Sequence, residues 1–372
     1  MQNSGTYTTP IRVLQLNDAR GWRGGEAQTL MLSKGLNHRG CHSIIAAAPH
    51  SELAKRNSLL KLPFLPLSIN HELDIPAVVA LSRIVGKEKI DIVHTHTAHT
   101  HTIALCALLF NRQTKLVVSR RVDFPVAENR FSKLKYTVRC NRYIAISEMV
   151  KQVLIEGGIP ESKIALAHSG IDMAKFDDIP GERDYRNEFA ISPDSTVIGN
   201  IAALAPHKAQ RDLLDAARIV VDNDPSVHFL IIGDGDLKNE LENRCIELNL
   251  TSHVTFTGFR TDIGELLRYM DIFVLSSRTE GLGTSVLDAM LSGVPVVATS
   301  AGGISEMVVH EETGLLSPPA DSKNLAGNLL TLIHNRQLRE KFGKAGKVRV
   351  REFDIEKTVD KTLIEYKKLM QS

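Results

Sequence analysis

The sequence predicts an α/β protein of two doubly wound domains that face each other across a cleft. Three observations predict it. Short apolar runs rich in Val, Ile and Leu alternate with segments of helical periodicity, the pattern of parallel strands covered on both faces by crossover helices. Several of these runs end in a glycine-rich turn that opens a helix, where open α/β sheets bind ligands. Between two such series lies a charged stretch, Lys175 to Asp194, poor in apolar residues and containing Pro180-Gly181, which reads as an inter-domain linker. The expected division is an N-terminal domain over 1–180, a C-terminal domain over 190–354 and a last helix over 355–372.

Composition sets outer bounds. A chain of 372 residues suffices for two cores, and 43% hydrophobic with 24% charged residues is the balance of a globular protein. A net charge of +2 gives no reason to expect nucleic acid. The four cysteines, Cys41, Cys106, Cys140 and Cys245, are scattered without a Cys-x-x-Cys pair and read as reduced thiols. The polar start, MQNSGTYTTP, does not read as a signal peptide, and no apolar run approaches the roughly 18 residues that span a bilayer. A cytoplasmic location follows as the expectation.

In the first half, Ile11–Leu16 reads as a strand that breaks into Asn17–Glu26, a loop with the pair Gly24-Gly25, before a helix from about Ala27 to Arg39. Ser43–Ala48 is a second strand and Ala77–Lys87 a helix. Asp91-Ile-Val-His94-Thr-His96 places both histidines on one face of a strand end. Histidines at i and i+2 can ligate zinc, but no nearby carboxylate or cysteine set completes a site, so no metal is expected. Lys115–Phe124 is a strand that runs into a loop through Arg120 and Arg121. From Arg130 to Arg142, Phe131, Leu134 and Val138 recur at helical spacing among Lys133, Lys135, Arg139 and Arg142. That pattern suits a packed helix with a solvated basic rim, and also one lying on an anionic membrane face. Tyr143–Ser147 is a strand ending in a good N-cap, and Lys163–Ala167 another strand, followed by His168-Ser-Gly-Ile-Asp172.

The second half opens with the strand Thr196–Ile201 and a loop, Ala202 to Gln210, that carries Lys208. His228–Ile232 and Val254–Gly258 are strands, the latter leading to Arg260. Asp234-x-Asp236 imitates an acidic metal pair, but it sits in the turn after a central strand and is not read as a metal site. The strand Asp271–Leu275 then feeds SSRTEGLGTSVLDAMLSGVP, residues 276–295. Its Gly281-Leu282-Gly283 turn would aim free backbone N–H groups at the positive end of a helix dipole, which fits a phosphate. Thr284 and Ser285 add hydroxyl donors and candidate caps. Glu280 precedes the turn and Asp288 follows it by five residues. Taken alone they are also ordinary acids of a helix N-terminus. Together they suit a ligand with a diphosphate in the middle and hydroxyls at both ends, which is a sugar nucleotide. Leu325–Leu332, Arg336–Lys347 and Ile355–Met370 read as helices.

The 276–295 stretch, with its continuation through Gly303, Glu306 and Thr313-Gly-Leu-Leu316, resembles the Glu-x7-Glu signature of the family 4 retaining glycosyltransferases, which have the GT-B fold. The resemblance implies transfer of a sugar, hexosyl-type, from a nucleotide-diphosphate sugar to an acceptor hydroxyl without a metal and with no cofactor beyond that co-substrate. It implies that Glu280 contacts the donor sugar, that Asp288, where the family usually has Glu, binds the ribose, and that Lys208 pairs with the diphosphate. Gly24, Gly25, Arg260, Gly281, Leu282, Gly283, Thr284 and Ser285 would line the donor. His96, in a segment similar to the family's Asp-x-Val-His-x-His, would lie near the transferring sugar, and Glu280, His96 and Lys208 would carry catalysis. Glu26, Arg120 and Arg121 would meet the acceptor. Many relatives have His near position 121, and guanidinium there suggests an anionic group. Ala203 stands where the family places a phosphate-binding arginine. The expected partners are a nucleotide sugar and a glycan or glycolipid acceptor of a surface glycan or lipopolysaccharide, at the inner face of a membrane if the basic segment lies there. Such folds carry the last helix back onto the N-terminal domain. A nucleotide-sugar epimerase, or a binding protein that turns nothing over, are the alternatives.

Overall fold

The computed structural model describes residues 10–124, 135–177 and 183–371. The chain divides into two compact units, one of Met1–Gly170 with Ile355–Ser372 and the other of Ile171–Asp354. Each is a parallel sheet wrapped by helices.

In the first unit seven strands run in the order β3-β2-β1-β4-β5-β6-β7. They are β1 (Arg12–Leu16), β2 (His42–Ala47), β3 (Phe64–Pro66), β4 (Ile92–Thr95), β5 (Lys115–Arg120), β6 (Arg142–Ala145) and β7 (Ile164–Leu166). Every neighbouring pair is parallel. The reversal of order around β1 and β4 opens a crevice at the carboxyl ends of those strands, where ligands of such sheets bind. The helices are α1 (Gly24–His38), α2 (Glu52–Leu59), α3 (Ile75–Lys87), α4 (Ala98–Ala107) and α5 (Glu148–Glu156). Their starts follow local chemistry. The Ser51, Asp74, Thr97 and Ser147 side chains each accept from the backbone N–H three residues on, satisfying donors that the first turn leaves over.

The last helix, Ile355–Gln371, packs in this first unit. Its Val359, Leu363, Tyr366 and Leu369 close a core with Val13, Leu32, Leu36, Ile92, Val117 and Ile144, each buried side chain contributing about 1.5–3 kcal/mol. Gly35 of α1 lets the two helices approach. A Cβ there would come within 2.5 Å of Val359 Cγ2. Gly35→Ala is therefore expected to cost about 1–3 kcal/mol by overpacking, read as a lower urea midpoint; an unchanged midpoint would show that the helices separate freely.

The second unit has six parallel strands in the order β10-β9-β8-β11-β12-β13. They are β8 (Thr196–Ile201), β9 (Val227–Ile232), β10 (Val254–Gly258), β11 (Ile272–Leu275), β12 (Val296–Thr299) and β13 (Gly314–Ser317). The helices are α6 (Tyr185–Glu188), α7 (Gln210–Asn223), α8 (Lys238–Glu247), α9 (Ile263–Tyr269), α10 (Thr284–Ser292), α11 (Ile304–Met307), α12 (Ser322–Ile333) and α13 (Arg336–Arg349), with α14 being Ile355–Gln371. One core runs from Leu213, Leu214 and Val220 through Phe229, Ile231 and Val274 to Leu325, Leu329 and Phe342.

The structure corrects four sequence readings. The pair Gly24-Gly25 is not in the loop but forms the first turn of α1. Thr284 and Ser285 do not cap α10. The N-cap is Gly283, left-handed at φ 85°, because a cap must precede the first helical residue. In the basic segment, residues 130–134 lie outside the described residues. Of the rest, Val138 and Arg139 fall beyond the helical turn, Arg139 at φ 60°, and Arg142 begins β6, so no continuous helix reaches it. The end of the linker, residues 183–191, folds onto the second unit. Tyr185 is fully buried, stacks on Phe189 and meets Tyr269 edge-on, while its hydroxyl donates to Asp262 (2.7 Å) and Glu265 (3.1 Å). Among the described residues no helix is long and apolar enough to cross a membrane.

Candidate active site

In the second unit the site is built where β8 and β11 leave the sheet. The loop after β8 ends in a 3₁₀ turn, Pro206–Lys208, closed by Ala209 in the left-handed region. The loop after β11 grips it at three points. Ser276 Oγ donates to the Lys208 carbonyl (3.0 Å), the Arg278 N–H to the His207 carbonyl (2.8 Å), and Lys208 Nζ bonds Glu280 Oε2. Ser277 Oγ also donates to that carboxylate (3.3 Å). Both side chains of the Lys208–Glu280 pair are mostly buried, so their charges act in a medium of reduced dielectric.

Beyond Glu280 the chain turns through Gly281-Leu282-Gly283. Leu282, 1% exposed, plugs the turn into the core. Gly303 holds it from behind by donating its N–H to the Glu280 carbonyl (3.1 Å). Among the N–H groups that then start α10, those of Thr284 and Ser285 have no carbonyl within the helix to meet, as in an anion site. Asp288 follows one turn after Thr284, and its Oδ1 accepts from Lys175 Nζ at 2.5 Å. Burial pushes the Asp288 carboxyl up, with Lys175 opposing. The sequence reading did not foresee Lys175, 113 residues away. It also missed Arg278, which grips Asp212 of α7 bidentately (2.8 and 2.9 Å). Position 203 is an alanine whose carbonyl accepts from Gln210 Nε2 (2.9 Å). Arg260 is engaged at the start of α9. Its guanidinium bonds Asp262 and Glu188, which raises its pKa further, and lies over the Tyr185 and Phe189 rings. Among the described residues no three His, Cys, Asp or Glu gather as a metal site. Asp234 instead accepts from the next N–H in its own turn (2.8 Å).

In the first unit the candidate residues meet at the carboxyl ends of β1, β4 and β5. Glu26, 6% exposed, sits in the first turn of α1 and accepts from the Arg23 N–H (2.9 Å). The aliphatic stem of Arg121 packs 3.6 Å from where a Gly25 Cβ would be. Arg121 donates from Nη1 to Ser169 Oγ (3.3 Å) and from Nη2 to His96 Nδ1 (3.1 Å). Burial lowers its pKa to about 10 against the opposing charge of Glu26. Arg120 is directed elsewhere, to the Val122 and Phe124 carbonyls and the Tyr136 hydroxyl. His96 is 5% exposed with both ring nitrogens bonded, Nε2 to Gln15 Oε1 at 2.8 Å. Its ring lies 4.4 Å from that of His94. Desolvation holds His94 at about 3 and His96 well below its ordinary value, so both rings are neutral near pH 7.

The chain matches two family descriptions in series, Glycosyltransferase Family 4 over residues 22–175 and Glycosyl transferases group 1 over 181–349. It is 27% identical over 313 residues, 81% of each chain, to an Escherichia coli UDP-Gal:alpha-D-GlcNAc-diphosphoundecaprenol alpha-1,3-galactosyltransferase. It is 27% identical over 310 residues, 77% of each, to the N-acetyl-alpha-D-glucosaminyl L-malate synthase of Bacillus anthracis. Among solved structures, Anabaena Alr3699/HepE in complex with UDP-glucose superposes with a TM-score of 0.83 at 22% identity, covering 95% of this chain and all of that one. The lipopolysaccharide outer core galactosyltransferase WaaB superposes at 0.72 and 16% identity, covering 96% and 100%. With two Rossmann-like sheets and a matched family domain on each, the chain belongs to the family 4 glycosyltransferases of the GT-B fold and is a nucleotide-sugar glycosyltransferase.

Proposed function

We propose that the chain is a retaining, hexosyl-type transferase that uses a UDP-sugar or a related donor to extend a glycan or glycolipid of the cell surface. The observation that carries this reading is the Lys208–Glu280 pair beside the Gly281–Gly283 turn at the start of α10. Glu280 would orient the donor sugar and Asp288 the ribose. Lys208, with the amides of Gly281 to Ser285, would meet the charge that develops on the departing diphosphate, electrostatic stabilisation that needs no metal ion. In the first unit, the amides of Gly24 and Gly25 would approach the donor, and Glu26 and the Arg121 guanidinium would meet the acceptor, with His96 behind Arg121 and Arg120 holding the adjoining loop. Arg260 would brace the loop after β10 near the base. A curated relative that names a diphosphoundecaprenol acceptor and a structural neighbour bound to UDP-glucose support the donor and acceptor classes; with a glycolipid acceptor the work would lie at the inner face of a membrane.

Ala203, where the family has arginine, keeps a binding-only protein as the second reading. Nucleotide release from UDP-, GDP- and ADP-sugars, with and without a crude glycolipid extract, separates the two. Extract-stimulated release from one donor, unchanged by EDTA, is expected. Binding of a donor with no release under any condition would sink the transferase, and conversion of the sugar without release would indicate an epimerase.

A further inference from the structure

In the first unit, buried polar side chains from β1, β4, β5 and the last helix are bonded end to end, and the order of donors can be worked out. A guanidinium only donates, so His96 Nδ1, 3.1 Å from Arg121 Nη2, carries no proton. The ring proton is then on Nε2 and is donated to Gln15 Oε1 at 2.8 Å. That leaves the Gln15 amide nitrogen facing the Tyr366 hydroxyl (3.5 Å) and Ser43 Oγ (3.4 Å). An amide nitrogen does not accept, so the Tyr366 hydroxyl proton goes to its other neighbour, His94 Nδ1. His94 in turn donates from Nε2 to Ser119 Oγ at 2.9 Å. Gln15, His94 and Tyr366 are fully buried, and His96 and Ser119 nearly so. Flipping any one group would set donor against donor, or leave a buried atom unpaired at a cost of about 1–3 kcal/mol. The row has one consistent arrangement, and it ends at Arg121.

We propose that Tyr366, on the C-terminal helix, is a positioning residue for Arg121. Its hydroxyl accepts from the Gln15 amide nitrogen, Gln15 Oε1 holds the His96 ring in place through Nε2–H, and His96 Nδ1 holds the guanidinium. Apart from Ser169 at 3.3 Å, that nitrogen is the only hydrogen-bond partner of Arg121 among the described residues, and Arg121 Nε has none. The last helix therefore belongs to the acceptor side of the reaction as well as to the core. This rests on the acceptor role given to Arg121 above.

The test uses the full chain, Tyr366→Phe, which keeps the ring and removes the hydroxyl, with Gln15→Met as a second break in the same row. Imidazole ¹⁵N spectra should show His94 and His96 each as one Nε2–H tautomer in the wild type; in Tyr366→Phe His94, which loses the donor to its Nδ1, should become a mixture, and His96, whose Nδ1 still faces Arg121, should keep its tautomer with a shifted and broadened Nε2–H resonance. With the donor chosen by the panel, release stimulated by the crude glycolipid extract should fall about tenfold. Release with water as the only acceptor should be unchanged, a split that general destabilisation would not produce. Adding Tyr366→Phe to Arg121→Lys should lower the stimulated rate no further, as for residues acting in one unit. A single His94 tautomer with an unmoved His96 resonance in Tyr366→Phe, equal losses in the two assays, or additive losses would overturn the proposal. If Arg121→Lys leaves stimulated release intact, the acceptor role of Arg121 fails, while the His96 Nε2–H resonance of Tyr366→Phe still decides whether Tyr366 helps to place His96.

Discussion

Lys208→Met is expected to lower turnover about 100- to 1,000-fold, the range seen when one preorganised donor to a developing charge is removed. Without substrate, Lys208 Nζ rests on Glu280 Oε2, and both side chains are mostly withdrawn from water. This pairing holds the two side chains together in a partly desolvated site, and in the proposed mechanism an arriving diphosphate would share the lysine. Because position 203 is alanine, the cationic share of that task falls on few groups. Arg278 is engaged by Asp212 and Arg260 by Asp262 and Glu188. Glu280→Gln keeps the shape of the acid and removes its charge, which frees Lys208 and, in the proposed role, would weaken the grip on the sugar. In the proposed mechanism the two residues act on one leaving event, so Glu280→Gln/Lys208→Met should be no slower than the worse single variant. Rates at saturating donor, measured for both singles and the double, provide the check. A Lys208→Met enzyme that retains a third or more of wild-type turnover would remove Lys208 from the reaction.

Much of the architecture was legible because parallel strands covered on both faces leave largely apolar runs, and β11, most of β12 and the Phe229–Ile232 part of β9 are such runs. The glycine turn at 281–283 was legible for a related reason, since a chain that turns tightly from strand to helix leaves its glycines in the sequence. Partners were not legible. Periodicity records that Gln15 and Tyr366 are inside, but nothing in it says that residues 351 apart share a hydrogen bond. The same holds for Lys175 with Asp288 and Arg278 with Asp212. His96 shows the limit most clearly. Its motif located it at the end of β4, yet a motif cannot show that both ring nitrogens are already taken, one by Gln15 and one by Arg121. The linker reading missed residues 183–191 because Tyr185 and Phe189 are two aromatic anchors in a segment that composition counts as charged.

Gly303→Ala is expected to weaken nucleotide binding at least about tenfold and slow turnover further, although residue 303 offers the ligand no side chain. Its backbone, at φ −74° and ψ 0°, is one any residue adopts, so the substitution adds no torsional strain. The effect is steric and local. An added Cβ would stand 2.6 Å from the Gly281 carbonyl oxygen and 3.0 Å from Leu282 Cα, and neither can swing aside as a flexible side chain would. The turn must move, and Gly303 also donates its N–H to the Glu280 carbonyl, so Glu280 and the amides at the start of α10 move with it. Preorganised donors stabilise charge only where they are held within about 0.5 Å of their working positions, and a misplacement of about 1 Å can cost about a hundredfold. Gly327→Ala is the control. That glycine lies within α12 with nothing within 4 Å of an added Cβ, so alanine there should raise stability by up to about 1 kcal/mol and leave binding untouched. Calorimetric titration of the two variants with the nucleotide of the preferred donor separates them. Equal affinities would mean that the 281–283 turn yields without consequence, and the phosphate would then have to be held chiefly by Lys208.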